Sequence, residues 1–280
     1  MRSRGVLYMA ASALGFSVMS LQVKIAAAHL PTGELVLARA VVTLALSYAM
    51  VRRLGLSPWG HERARLALRG LLGFGGLACY YGAIALLPLA DATTLQNTTP
   101  LFTALLAWWL LGERIGWGSA VAIGFGLGGV VLVAHPATGG LDPAGVAIAL
   151  SGAVISAVAY VTVRRLVRTE HPYVIVFYFP LVATPLALPW AMARWVWPSL
   201  NEWLLMVGIG VATQVGQVFL TLGLAELPAG RATAVGYLQI CFAMMWELAV
   251  FSRWPTWGTV AGAALIIVGT LAATSRARAE

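Results

Sequence analysis

Apolar runs of about 20 residues, each long enough to cross a hydrocarbon core of roughly 30 Å, recur along the whole chain. They fall at 6–28, 33–51, 67–89, 92–111, 116–135, 143–166, 172–193, 202–224, 231–251 and 256–274, with short polar, Pro- or Gly-containing stretches between them. Backbone polar groups inside lipid must be satisfied within their own segment, so each run is predicted to be a helix. A membrane barrel would show alternating segments of about 10 residues instead. The first run exceeds the roughly 7–15 apolar residues of a secretory leader and reads as a membrane helix. The pattern predicts an all-α integral membrane protein with ten transmembrane helices.

Composition supports this class. The chain is 60% hydrophobic and 10% charged, with a mean hydropathy of +0.85. A soluble domain carries about 25% charged residues, and one this apolar would expose large sticky patches. The net charge of +8 raises nucleic acid as a partner, but the placement of the charge argues against it. With a cytoplasmic N-terminus, ten spans put Arg2, Arg4, Arg52, Arg53, Arg63, Arg65, Arg69, Arg114, Arg164, Arg165, Arg168, Arg231, Arg276 and Arg278 on the cytoplasmic side. Arg194 and Arg253 fall outside, and Lys24 and Arg39 lie within spans. That bias follows the positive-inside rule and places both termini in the cytoplasm, in a bacterial-type inner membrane.

The chain also echoes itself at a shift of 140 positions. Gly112 to Ser119 reappears as Ser252 to Thr259, and Pro88, Ala92, Thr93, Phe102 and Gly129 match Pro228, Ala232, Thr233, Phe242 and Gly269. Five spans per half is odd, so the second copy must enter the membrane from the opposite side. The expectation is two inverted five-helix repeats, 1–137 and 138–280, an arrangement typical of transporters. The loop from Ala134 to Asp142, with Pro136, Gly139 and Gly140, is a reasonable boundary.

Enzyme chemistry finds little support. Cys79 and Cys241 sit inside predicted spans, so neither a structural disulfide nor a metal spacing is expected. His61, His135 and His171 lie in loops and His29 at a span end, with no triad, zinc site or phosphate loop. No metal and no cofactor are expected.

The fourth span and the turn after it, Asp91-Ala92-Thr93-Thr94 through Pro100-Leu101-Phe102 to Leu111-Gly112-Glu113-Arg114, resemble the EamA family of the drug/metabolite transporter superfamily. Arg39 and the series Arg69-Gly70, Cys79-Tyr80-Tyr81 and Leu86 to Asp91 extend the resemblance over nearly the whole chain. It implies a ten-helix fold, a cavity between the first four helices of each half, peripheral fifth and tenth helices, and alternating access. Export is favoured by the resemblance alone. The second copy departs from the pattern: Ile240 replaces Pro100, Ser252-Arg253-Trp254 replaces the Gly-Glu-Arg turn, and Pro180 stands opposite Arg39 after a one-residue gap. The site is therefore expected to be asymmetric.

Ionisable residues within spans each cost about 2.5–3.5 kcal/mol at a helix centre on insertion scales. Arg39 reads either as an anchor for a substrate carboxylate or phosphate, with its fork of donors, or as a cation satisfied by pairing or snorkelling. Lys24, near a span end, reads as a snorkelling cation. Glu247 is a candidate coupling carboxylate, or a partner of Arg253 or Lys24. Uncharged polar residues form faces: Gln214, Gln217 and Thr221 at i, i+3 and i+7; Thr93, Gln96, Asn97 and Pro100 in the fourth span. Ser20, Gln22, Tyr80, Tyr81, Tyr160, Tyr178, Tyr237 and Gln239 add to them, whereas most tryptophans cluster at span ends as an interfacial belt. Together these residues predict a wet cavity. The expected substrate-binding set is Arg39, Gln22, Tyr80, Tyr81, Gln96, Asn97, Tyr160, Gln214, Gln217, Tyr237 and Gln239. The expected function is a secondary transporter of an amino-acid-like or organic-anion metabolite, a monomer or homodimer in the bilayer, with a proton as the candidate coupling ion. A passive channel-like facilitator is the alternative.

Overall fold

The computed structural model describes residues 2–99, 101, 102, 106, 117–134, 141–166, 169–226 and 235–276. Among them are ten helices and no strand. They are α1 (Arg2–Ala26), α2 (Thr32–Arg53), α3 (Arg63–Leu86), α4 (Leu89–Gln96), α5 (Trp117–Ala134), α6 (Pro143–Leu166), α7 (Pro172–Met192), α8 (Leu200–Glu226), α9 (Leu238–Phe251) and α10 (Trp257–Arg276). Five are long and apolar enough to cross a membrane, within α1, α2, α6, α7 and α8, and α9 and α10 add shorter apolar segments. Pro100, the Gly112–Gly116 turn, Ala232, Thr233 and the boundary at 137/138 lie outside the described residues.

Proline sets several of the helix starts. Pro143 and Pro172 occupy the first helical position, where a missing N–H costs nothing. Pro88 forces Leu87 into an extended conformation and separates α3 from α4. α7 carries Pro180, Pro185 and Pro189 inside it, and Thr184 returns its hydroxyl to the Pro180 carbonyl at 2.7 Å.

The helix faces are inverted relative to a soluble bundle. Along α8, Leu204, Val207, Val211 and Val215 are exposed, while Met206, Ile209, Thr213 and Gln214 are buried. An outward apolar stripe over a partly polar interior suits lipid as the surrounding solvent. One core draws on both halves, joining Met19, Leu35, Leu77, Tyr81 and Ile84 to Ala149, Ala183, Met206 and Ile209.

α1 packs on α8 and α3 on α6; α2 packs on α7 and on α8; α3 packs on α7; α5 pairs with α10, and α4 with α9. α1 also touches α9, and α4 touches α6. Exchanging each helix for the one five places away maps these pairs onto one another. Small residues set the closest approaches. A Cβ on Gly15 would stand 3.0 Å from the Gly216 nitrogen, backbone against backbone between α1 and α8. A Cβ on Gly129 would meet the Gly262 carbonyl at 2.6 Å and Ile266 at 2.8 Å. Gly129→Ala is therefore expected to destabilise the α5–α10 pair by about 1–3 kcal/mol, read as a lowered melting temperature of the purified protein.

Candidate functional site

Two arginines meet one aromatic ring inside the bundle. Arg39, about 10 Å into α2 at 1.5 Å per residue, is 5% exposed and lies 5.3 Å from the ring centre of Phe179 on α7 and 5.7 Å from that of Tyr81 on α3. Arg69, about 9 Å into α3, lies 5.0 Å from the same Phe179 ring. α2 and α3 thus each bring one guanidinium to the same ring. Among the described residues, neither arginine has a carboxylate within ion-pair distance. Nε of Arg39, and Nε and Nη1 of Arg69, are buried without a hydrogen-bond partner. Their ring distances hold the two like charges at most about 10 Å apart, where at an effective dielectric near 20 they repel by roughly 1.7 kcal/mol or more. The pair is thus an electropositive centre without an ion-pair partner among the described residues, compensated by cation–π contacts and by the Tyr81 hydroxyl beside Arg39.

A pocket of about 10 Å³, room for one water molecule, opens beside Arg69. Its lining is Thr43 and Ser47 from α2, Arg69, then Val176, Phe179 and Pro180 from α7, and Thr213, Gln214 and Gln217 from α8. The Gln214 carbonyl oxygen accepts from Ser47 at 3.3 Å, and its amide nitrogen points at the Met50 sulfur at 3.3 Å. The Thr213 hydroxyl is buried beside Tyr81. Tyr160, on α6, is 47% exposed and stands near Arg69.

Successive tyrosines on α3 divide the interior. Tyr81 faces Arg39 and donates to the Met19 sulfur at 2.9 Å. Tyr80 faces the other way: its hydroxyl bonds Ser20 on α1 at 2.9 Å and Thr93 on α4 at 3.2 Å, with Gln239 beside it. Gln96 donates to Ser156 on α6 at 3.2 Å and leaves its carbonyl oxygen without a partner.

Other predicted residues sit apart from the arginines. Gln22 is pressed between α1 and α8, where a Cβ on Gly208 would touch its amide nitrogen at 2.6 Å. Asn97 spends its amide on the Thr93 carbonyl at 2.8 Å, tying off the end of α4. Tyr237 packs with Leu101, Ile240, Ala263 and Ile266 between α9 and α10. Thr221 lies outside the described side chains.

Glu247 and Lys24 act together at the α3–α4 break. The Glu247 carboxylate accepts from the Leu89 N–H at 2.6 Å and the Ala90 N–H at 3.3 Å, capping α4 at its positive end. Lys24 donates to the carbonyls of Ile84 at 2.8 Å and Leu87 at 2.5 Å, capping the negative end of α3. Lys24 therefore does not snorkel; the carbonyls freed before Pro88 hold it inside. Asp91 stands near Glu247 and accepts from Thr259 on α10.

Each end of the bundle carries a further carboxylate tie. Glu34 at the start of α2 accepts from the Val196 N–H at 2.6 Å in the α7–α8 loop. At the other end, Glu170 accepts from the His61 and Glu62 N–H groups, both at 2.5 Å, and Tyr178 donates to the Trp59 carbonyl at 2.7 Å. The hydroxyl of Thr169 beside Glu62, with Arg65 adding to it, holds that exposed carboxylate below its usual pKa.

Arg69 is the principal residue the sequence reading misplaced. Its position near the start of a span counted it with the cytoplasmic-side arginines, yet its head group lies over Phe179. Two signals pointed inward: Gly73 is one helical turn on, and Thr43 and Ser47 follow Arg39 at i+4 and i+8 on one face of α2. A Cβ at Gly73 would collide with Arg69 Nη1 and stand 2.6 Å from the Phe179 ring. Gly73→Ala is expected to displace Arg69 and weaken transport several-fold, read as a rise in KM.

The EamA-like transporter family matches residues 3–134 and 143–275. The pseudopaline exporter CntI of Pseudomonas aeruginosa strain UCBPP-PA14 is 35% identical over 269 residues, covering 96% of this chain and 95% of the exporter. An S-adenosylmethionine uptake transporter of Rickettsia prowazekii is 29% identical, covering 73% of this chain and 69% of that protein. A solved crystal structure shares the fold with a TM-score of 0.68 at 24% identity, covering 96% of this chain and 98% of its own. The chain belongs to the EamA-like transporter family and is a membrane transporter of a small metabolite, not an enzyme.

Proposed function

We propose that the chain is a secondary carrier that exports a small anionic or zwitterionic metabolite, amino-acid-like or an organic acid, by alternating access around Arg39 and the pocket beside Arg69. Its ten helices form two inverted repeats, 1–137 and 138–280, with both termini on the cytoplasmic side of a bacterial inner membrane. The 140-residue echo and the exchange of helix pairings five places apart support the repeat. The arginine bias supports the orientation, and moving Arg69 out of the count leaves that bias intact. Export rests on the full-length similarity to the pseudopaline exporter.

The observation that carries the binding site is Arg39: a 5% exposed guanidinium without a carboxylate partner among the described residues. A cation kept in a membrane interior usually has a partner or a function. A substrate carboxylate supplies the bidentate contact that the protein withholds. Around it, Tyr80, Tyr81, Gln96, Tyr160, Gln214, Gln217 and Gln239 are the proposed polar surface, with Gln22, Asn97 and Tyr237 at greater remove.

Glu247 is the proposed coupling group. Its carboxylate holds the α4 start among the charges of Lys24, Asp91 and Arg253. Protonation would weaken that cap and loosen the packing of α4 against α9 and α10.

The reading is tested by profiling the medium of cells that produce the wild-type protein or Arg39→Gln. Anionic or zwitterionic compounds enriched only by the wild type are expected. Identical profiles from the two would contradict the reading.

A further inference from the structure

We infer that the site selects substrates bearing two separated anionic groups, and that Arg69 is the residue that reads the second one. This rests on the proposed role of Arg39 and deepens it. Both guanidinium groups lie within 5.3 Å of the centre of one ring, Phe179. They are therefore held apart by no more than the sum of the two distances, a span that a short linear dianion can bridge.

Charge balance points the same way. A monocarboxylate at Arg39 would leave Arg69 unneutralised, with its Nε and Nη1 still lacking acceptors. A dianion neutralises both centres and removes their mutual repulsion. The Phe179 ring that both guanidinium groups approach offers an apolar face to a methylene spacer, while Thr43, Ser47, Gln214 and Gln217 supply neutral polar contacts without competing negative charge. Among the described residues no carboxylate lines the pocket, so none of them repels the substrate's second charge. The Gly73 site makes the arrangement specific: only a residue without a Cβ leaves room for Arg69 and Phe179 together.

The full-length protein in nanodiscs is titrated with linear dicarboxylates from malonate to pimelate and with the monoamide of each, following thermal stabilisation. At least one diacid is expected to bind tenfold or more tightly than its monoamide. Arg69→Gln is expected to erase that difference by weakening the diacid alone; Arg69→Lys should restore part of it. Equal binding of diacid and monoamide, or a diacid preference that survives Arg69→Gln, would overturn the inference. So would the absence of binding by every diacid. In either case, metabolite export that still depends on Arg39 would leave the carrier reading standing. The monoamide comparison needs only the wild type, so a poorly folding variant does not blunt the test.

Discussion

Arg39→Gln is expected to lower the affinity for substrate about a hundredfold while leaving the fold as stable as the wild type or more so. The two halves of this expectation have separate causes. Hydrogen bonds to a charged group contribute about 1.5–3 kcal/mol each, and about 1.4 kcal/mol is a factor of ten. Loss of a bidentate contact to a carboxylate therefore removes roughly 3 kcal/mol or more. Stability moves the other way. The cation–π contacts with Tyr81 and Phe179 contribute about 0.5–2 kcal/mol, whereas the desolvation of an unpaired buried charge costs several kcal/mol. Glutamine removes both, and the balance is neutral or favourable. An Arg39 whose task was structural would behave in the opposite way, losing stability first. Arg39→Lys keeps the charge but not the fork, and should fall between the two. Substrate binding and melting temperature, measured on the same preparations, separate these cases.

At Glu247 the two substitutions are expected to diverge. Glu247→Ala leaves the Leu89 and Ala90 N–H groups without their acceptor and takes an anion from beside Lys24. Removing one member of a buried charged arrangement costs about 3–5 kcal/mol, a large share of a typical stability of about 5–15 kcal/mol. The variant should be made poorly or melt far below the wild type. Glu247→Gln keeps an oxygen that can accept both N–H groups, so it should fold. It cannot take up a proton, and its transport should no longer respond to a pH gradient across a liposome membrane. A wild-type melting temperature for Glu247→Ala would refute the capping role. Undiminished pH response in Glu247→Gln would move the coupling proton elsewhere, with neighbouring Asp91 the next group to substitute.

Features that depend on local periodicity were legible in the sequence. Helix α2 and its buried Arg39 follow from a long apolar run interrupted by one cation. Gln214 and Gln217, read as one face of α8 from their i, i+3 spacing, line the same pocket. The break after Leu87 follows from Pro88. What depends on distant partners was not legible. Lys24 looked like an interfacial cation because its acceptors, the Ile84 and Leu87 carbonyls, lie about sixty residues away. Glu247 meets α4 across more than 150 residues. Arg69 was hidden by the charge-counting rule itself, which assigns an arginine near a helix start to the interface whichever way its side chain turns. Asn97 joined a polar stripe by spacing, yet its amide is consumed by its own helix. The repeat contains one further relation that the gapped comparison with Pro180 concealed. The residue 140 positions after Arg39 is Phe179, the ring over which Arg39 lies. Under the proposed repeat, two positions 140 apart thus meet, one carrying charge and the other an aromatic face.

Counterflow in proteoliposomes tests the central claim most directly. Vesicles containing wild-type protein are loaded with the anion whose release distinguishes wild-type cells from Arg39→Gln cells, and entry of the labelled compound is followed. The carrier account predicts saturable entry accelerated by internal substrate, with Arg39→Gln reduced to the rate of empty vesicles. Entry that does not saturate and ignores internal substrate, or an Arg39→Gln rate equal to the wild type, would contradict it.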